Sequence, residues 1–120
     1  PLYVYDADVI VRQINNLRDA FAGMPLRIKF ACKALSNVSV LKLMQTQGIG
    51  IDAVSVAEAR LALAAGFRPG DITFTSNGVD FAEIAEAVEL GLSINLDNLP
   101  MLEKFGAAYG GSVPCCIRLK

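Results

Sequence analysis

Apolar segments begin near Arg27, Gly50, Ile72, Leu92 and Val113, a beat of about 20 to 23 residues. One strand, one short turn and one helix fill such a period, and a chain built on it has few folds open to it. The punctuation between segments is that of capped helices. Ser36 or Asn37 opens one that carries Val40, Leu41 and Met44, and Gly48 ends it. Ser55 opens the next, with Gly66 as its stop; Asp80, with Glu83 three residues on, precedes Phe81, Ile84, Ala85 and Val88, with Gly91 as theirs. Asn98 opens the last, placing Leu99, Leu102 and Phe105 on one side. A short polar side chain before each helix and a glycine after it supply the N-cap acceptor and the left-handed exit that helix ends require. Upstream of the beat, Leu2-Tyr3-Val4-Tyr5 reads as a short strand. A helix follows, capped by Asp6 or Asp8, carrying Ile10, Ile14, Leu17 and Phe21 and stopped by Gly23 and Pro25.

Four βα units joined by short connections imply a parallel sheet with right-handed crossovers. Two architectures compete. A doubly wound sheet holding a dinucleotide expects a glycine-rich first turn, and Lys33-Ala34-Leu35-Ser36-Asn37 has no glycine. Ser93 and Asn95 also fall inside a strand, where the inward positions of a closed barrel take polar residues more readily than a sandwiched sheet does. The α/β barrel is therefore favoured: residues 27–120 read as about five of the eight strands of a TIM (β/α)8 barrel, and residues 1–26 as a strand and helix leading into it. An unclosed barrel leaves two bare edges, so the native polypeptide is expected to run about 250 to 300 residues past Lys120.

With 53% hydrophobic residues, the 120-residue chain can build a core. Its 11 basic residues are scattered singly against 12 acidic ones, leaving a net charge of -1 and no stripe to attract a nucleic acid. No apolar run is long enough to cross a bilayer and no signal peptide opens the chain, so a cytoplasmic protein is expected. The three cysteines, Cys32, Cys115 and Cys116, show no pairing pattern and read as small buried hydrophobes. With no histidine in the chain, a metal site is not expected.

Barrel enzymes carry their chemistry at the C-terminal ends of the strands. Those ends supply Lys33, then Asp52 and Ser55, then Ser76 and Asn77, then Asp97, then Arg118. If Arg27–Lys33 is one strand, Lys29 and Lys33 share a face, with Lys29 low enough to snorkel out and Lys33 at the rim. A rim lysine facing a poorly hydrated interior has the lowered pKa that an imine-forming amine needs, although a solvent-facing lysine is an equally good reading. Asp52 could pair with Lys33 or with a polar neighbour inside the barrel. Glu58, three residues after Ser55, suits a capping box, a pocket role, or both. Asn77-Gly78 reads equally as a turn or as part of a site, and Arg118 is either a surface cation or a clamp for an anionic group.

Several stretches then resemble one family. Pro1-Leu2-Tyr3-Val4-Tyr5-Asp6, Lys29-Phe30-Ala31-Cys32-Lys33-Ala34, Asp52-Ala53-Val54-Ser55 with Glu58, Ala64-Ala65-Gly66-Phe67, Ile72-Thr73-Phe74 and Ile117-Arg118 match the fold-type III pyridoxal-phosphate decarboxylases in order and spacing. The resemblance is strongest to their diaminopimelate decarboxylase branch, whose barrel is like that of alanine racemase. It implies that Lys33 holds pyridoxal 5'-phosphate covalently. It further implies that Asp52 and Arg118 line the cofactor site, with Glu58, Ser55 and Asn77 bordering it more loosely. By the same resemblance the reaction is decarboxylation of meso-2,6-diaminopimelate to L-lysine, the partners are an amino-acid substrate and a second copy in a homodimer, and a C-terminal β domain completes the protein. Decarboxylases of ornithine, arginine or carboxynorspermidine, and a non-enzymatic cofactor-homeostasis protein, share the lysine strand. Leu35 stands where the family commonly has asparagine, and Val56-Ala57 where it often has glycines.

Overall fold

The computed structural model describes residues 1–119. Its elements alternate without exception after the first helix: α1 (Ala7–Ala20), β1 (Lys29–Ala31), α2 (Val38–Thr46), β2 (Gly50–Ala53), α3 (Val56–Ala64), β3 (Ile72–Thr75), α4 (Phe81–Glu89), β4 (Ser93–Leu96), α5 (Leu99–Tyr109) and β5 (Cys115–Ile117). The strands pair in parallel, in the order β1-β2-β3-β4-β5. A doubly wound sheet would reverse its strand order partway. This one does not, and it has the topology of consecutive units in a (β/α) barrel.

Local chemistry sets the helix starts. Asp6, Asn37, Ser55, Asp80 and Asn98 are the N-caps, each with a side-chain oxygen accepting from backbone N–H groups of the first turn. Such caps contribute about 1 kcal/mol apiece. Gly66 shows why the stops are glycine: its φ of 101° is one that a side chain would resist.

Strand parity divides the sheet into two faces. Ile51, Ala53, Ile72, Phe74, Ile94 and Leu96 point to the helix side and are buried. There they meet Leu41 and Met44 of α2, Ala59 and Ala62 of α3, Ile84 and Ala87 of α4 and Phe105 of α5. Each large side chain fully buried in this layer stabilises it by roughly 1.5–3 kcal/mol. The alanines on α3 let that helix lie close between its neighbours. The other face carries Lys29, Asp52, Thr73, Thr75 and Asn95, and would line a barrel interior.

Four expectations need correction. Leu2-Tyr3-Val4-Tyr5 forms no strand: no described residue pairs with it, and Leu2, Tyr3 and Val4 are 88%, 86% and 80% exposed. β-branched and aromatic residues favour a strand only where a partner ladder exists. The first barrel strand is shorter than Arg27–Lys33, because Cys32–Ala34 tightens into a 3-10 turn closed by Leu35 N–H on Cys32 O at 3.0 Å. Of the cysteines only Cys32 is buried; Cys115 is half-buried, and Cys116, on the opposite face of the same strand, is exposed. Leu99, at the first turn of α5, is 70% exposed, whereas Phe105 is buried as expected. Among the described residues no helix is long and apolar enough to cross a membrane.

Candidate active site

Two cavities lie one at each end of the strands. That at the C-terminal ends, about 460 Å³, is lined by Lys29, Ala31, Lys33, Asp52, Val54, Thr73, Thr75, Asn77, Asn95 and Arg118. It gathers residues from all five strands or the turns that follow them.

Lys33 reaches it from the 3-10 turn. Leaving the ladder frees its side chain from strand parity, and it stands exposed at the mouth. Arg118 reaches the cavity because the β4–β5 ladder continues one residue past Ile117, with Arg118 N–H donating to Leu96 O at 2.7 Å. Asn77 is placed by its neighbour. Buried Ser76 anchors the end of β3 to β4, both its N–H and its hydroxyl donating to Asn95 O at 3.1 Å, and the chain then turns outward. Lys33, Asp52, Asn77 and Arg118 thus share one cavity.

Ser55 and Glu58 lie outside that lining. Ser55 Oγ accepts from Glu58 N–H at 3.2 Å, and Glu58 Oε2 accepts from Val54 N–H at 2.9 Å, which together close the first turn of α3. Their hydrogen bonds are those of a helix cap. Glu58 also acts on Cys32: burial first, then the Glu58 charge, pushes that thiol up to about 11. Cys32 is a packed, protonated core residue.

Thr73, Thr75 and Asn95 are the lining residues that sequence reasoning passed over as site members. Asn95 Nδ2 donates to Thr75 Oγ1 at 3.2 Å, and Thr75 Oγ1 donates to Asp52 Oδ1 at 2.5 Å, a bond of the length expected for hydroxyl to carboxylate. Below this layer Lys29 Nζ donates to Thr73 Oγ1. Lys29 is exposed, as expected of a lysine low on the strand, and its amine lies across β2 to reach β3. Gly50, its ladder partner, makes this crossing possible, since a Cβ there would sit 3.2 Å from Lys29 Cγ and 2.7 Å from Asp71 O. Partial burial lowers the Lys29 pKa below the ordinary lysine value; Asp52 opposes this, Arg27 adds to it and Asp71 opposes it. The missed signal was parity: Asp52, Thr73, Thr75 and Asn95 are polar residues on one face of neighbouring strands.

The larger cavity, about 860 Å³, lies at the other end, among Arg18, Arg27, Lys29, Gly48, Gly50, Arg68 and Asp71. Most of its cations are already engaged, Arg18 with Gln47 O, Arg68 with Asp71 and Lys29 with Thr73. The smaller cavity keeps an amine and a guanidinium exposed at its mouth, which is what a ligand with carbonyl and anionic groups requires.

The chain is similar to known proteins of one family. Residues 7–120 match the family described as pyridoxal-dependent decarboxylase, pyridoxal binding domain. Diaminopimelate decarboxylase of Escherichia coli strain K12 is 38% identical over 115 residues, a match covering 92% of this chain and 26% of that one. The crystal structure of the Helicobacter pylori diaminopimelate decarboxylase complexed with L-lysine superposes with a TM-score of 0.87 at 34% identity, covering 99% of this chain and 31% of that one. The lysine/ornithine decarboxylase of Vibrio vulnificus, complexed with putrescine, gives 0.83 at 28% identity, with 95% and 31% covered. The chain spans about a quarter of the length of the curated relative. With a lysine, a carboxylate and an arginine converging on one cavity at the strand ends, and a family match over nearly its whole length, the chain belongs to the pyridoxal-dependent decarboxylases, in their pyridoxal-binding domain.

Proposed function

We propose that residues 27–120 supply the first five strands of a cofactor barrel, and that the polypeptide carrying them decarboxylates meso-2,6-diaminopimelate to L-lysine. The observation that carries this reading is Lys33 at the mouth of a cavity it shares with Asp52, Asn77 and Arg118. An exposed primary amine beside a fixed carboxylate and a guanidinium fits an aldehyde-bearing anion such as pyridoxal phosphate. When bound, the cofactor supplies a ring that takes up the electrons released as carbon dioxide leaves.

The residues have separable parts in that chemistry. Lys33 Nζ would be the group that holds the cofactor through its aldehyde, and as a free amine the same atom could carry protons. Asp52 presents a carboxylate whose Oδ1 is already bonded to Thr75, which limits how it can turn. Arg118 offers a cation to an anionic group of cofactor or substrate. Ala31 and Val54 add apolar wall.

The diaminopimelate branch is supported by the identities to the Escherichia coli and Helicobacter pylori enzymes. The sequence departures bear on this choice as well. Leu35 packs against the core and Val56 is buried in it; neither lines the cavity, so both changes alter packing behind the site. Steady-state carbon dioxide release by the intact polypeptide should be far faster with meso-diaminopimelate than with ornithine, arginine or lysine. A preference for ornithine or lysine would move the protein to the branch of the Vibrio vulnificus enzyme.

A further inference from the structure

The interior face of the sheet carries a hydrogen-bond chain whose direction is dictated by chemistry. Thr75 Oγ1 donates its one proton to Asp52 Oδ1 at 2.5 Å. Thr75 Oγ1 is then left with lone pairs alone and must itself accept. Asn95 meets it with its amide nitrogen. A carboxylate in place of that amide would compete for the same proton.

The ladder register builds this chain into the sheet. Thr75 and Asn95 are direct cross-strand partners, and Asp52 pairs with Thr73, which makes Thr75 its diagonal neighbour two residues on. Thr75 is buried, so no bulk water competes for its hydroxyl. Among the described residues Asp52 Oδ2 takes no hydrogen bond. One oxygen of Asp52 is held by the protein and the other is left for what enters the mouth.

We infer that Thr75 and Asn95 are positioning residues for Asp52: they fix one carboxylate oxygen so that the other meets the cofactor or substrate beside Lys33. This rests on the cofactor reading given above. Neither residue is assigned contact with the reacting atoms; both act through Asp52.

The test uses the intact polypeptide and three variants, Thr75→Val, Thr75→Ser and Asn95→Asp. The readouts are the apparent Kd for pyridoxal phosphate from its absorption band, the borohydride-fixed mass increment on Lys33, kcat and KM, and circular dichroism. Thr75→Val keeps the shape and removes the hydroxyl; it should raise the Kd about 10- to 100-fold, the scale of one lost hydrogen bond to a charged group, with KM changing less than kcat. Thr75→Ser keeps the hydroxyl and should restore parental values. Asn95→Asp, which replaces the donor by an acceptor, should weaken binding like Thr75→Val. A folded Thr75→Val protein with the parental Kd, absorption band and kcat overturns the inference. If that variant does not fold, parental behaviour of Asn95→Asp overturns it equally. A parent protein that takes no label on Lys33 overturns the cofactor reading, and the positioning role with it; a labelled parent with indifferent variants overturns the positioning role alone.

Discussion

The two ends of the sheet are built from similar residue types and use them differently. At the N-terminal ends, the polar groups satisfy one another. Arg68 forms a two-pronged bond to Asp71 at 2.8 and 3.2 Å, Arg18 closes on Gln47 O, and Gly50 keeps its backbone close to Asp71 O. At the C-terminal ends, Lys33, Asn77 and Arg118 stand exposed around a carboxylate that, among the described residues, is hydrogen-bonded through one oxygen only. The polar groups of the floor are engaged with one another, while those of the mouth are left open to a ligand, and substitutions should separate the two.

The largest effect is expected at the mouth. On the proposed role of Lys33, Lys33→Ala would remove both the cofactor's attachment and a proton carrier, and turnover should fall by roughly three orders of magnitude or more while the fold persists. Borohydride labelling and peptide mapping should lose the mark on Lys33. Lys29→Ala in the same assay should cost far less; an equal collapse would erase the distinction between the two ends.

Next comes the floor. Gly50→Ala places a methyl 2.7 Å from Asp71 O and 3.2 Å from Lys29 Cγ, forcing β2 away from the turn before β3. Denaturant unfolding should show a loss of about 1–3 kcal/mol. The residual folded protein should still take label on Lys33. A substitution that left stability intact would mean that the floor is looser than its packing implies.

A smaller, pH-dependent effect comes from Cys32, behind the mouth. Its folded pKa of about 11 lies above the ordinary 9.0, so the folded state keeps the proton that the unfolded state loses. Stability is then unaffected below about pH 9 and falls as pH rises toward 11. Near pH 10 the parent should have lost about 1.4 kcal/mol that a Cys32→Ala variant does not lose. Parallel alkaline stability curves for the two proteins would contradict this. The smallest change is expected on the outer surface, where Arg60 meets Glu86 at 2.5 Å between α3 and α4. Both side chains are exposed, and Arg60→Ala should shift stability by less than about 1 kcal/mol, less again in high salt.

The repeat was legible because each unit carries its own signals. Asn37, Ser55, Asp80 and Asn98 cap the helices they precede, and the strands begin within two residues of where the apolar segments do. The strand order followed from connection length. Lys33, Asp52 and Arg118 were legible as strand-end residues. The Asp52–Thr75–Asn95 chain was less so, since threonine is an ordinary strand former and only the register shows which hydroxyl meets which carboxylate. Residues 2–5 misled because strand propensity describes a fit to a partner, and that stretch has none among the described residues. The partner of Lys29 was not legible, because its path to Thr73 depends on Gly50, a residue on another strand that acts by having no side chain.

The sequential strand order also bears on how the chain assembles. Partner residues on adjacent strands lie only 20 or 21 positions apart, at Lys29–Gly50, Ile51–Ile72, Thr73–Ser93 and Ile94–Cys115. Every pairing closes a loop of nearly the same length, so the entropic cost of closure hardly differs from one to the next; even doubling a loop would add only about 0.6 kcal/mol. No strand must wait for a distant segment before it can dock. A ribosome releasing this chain from its N-terminus delivers each strand next to a template already in place, and the sheet can grow at the pace of translation.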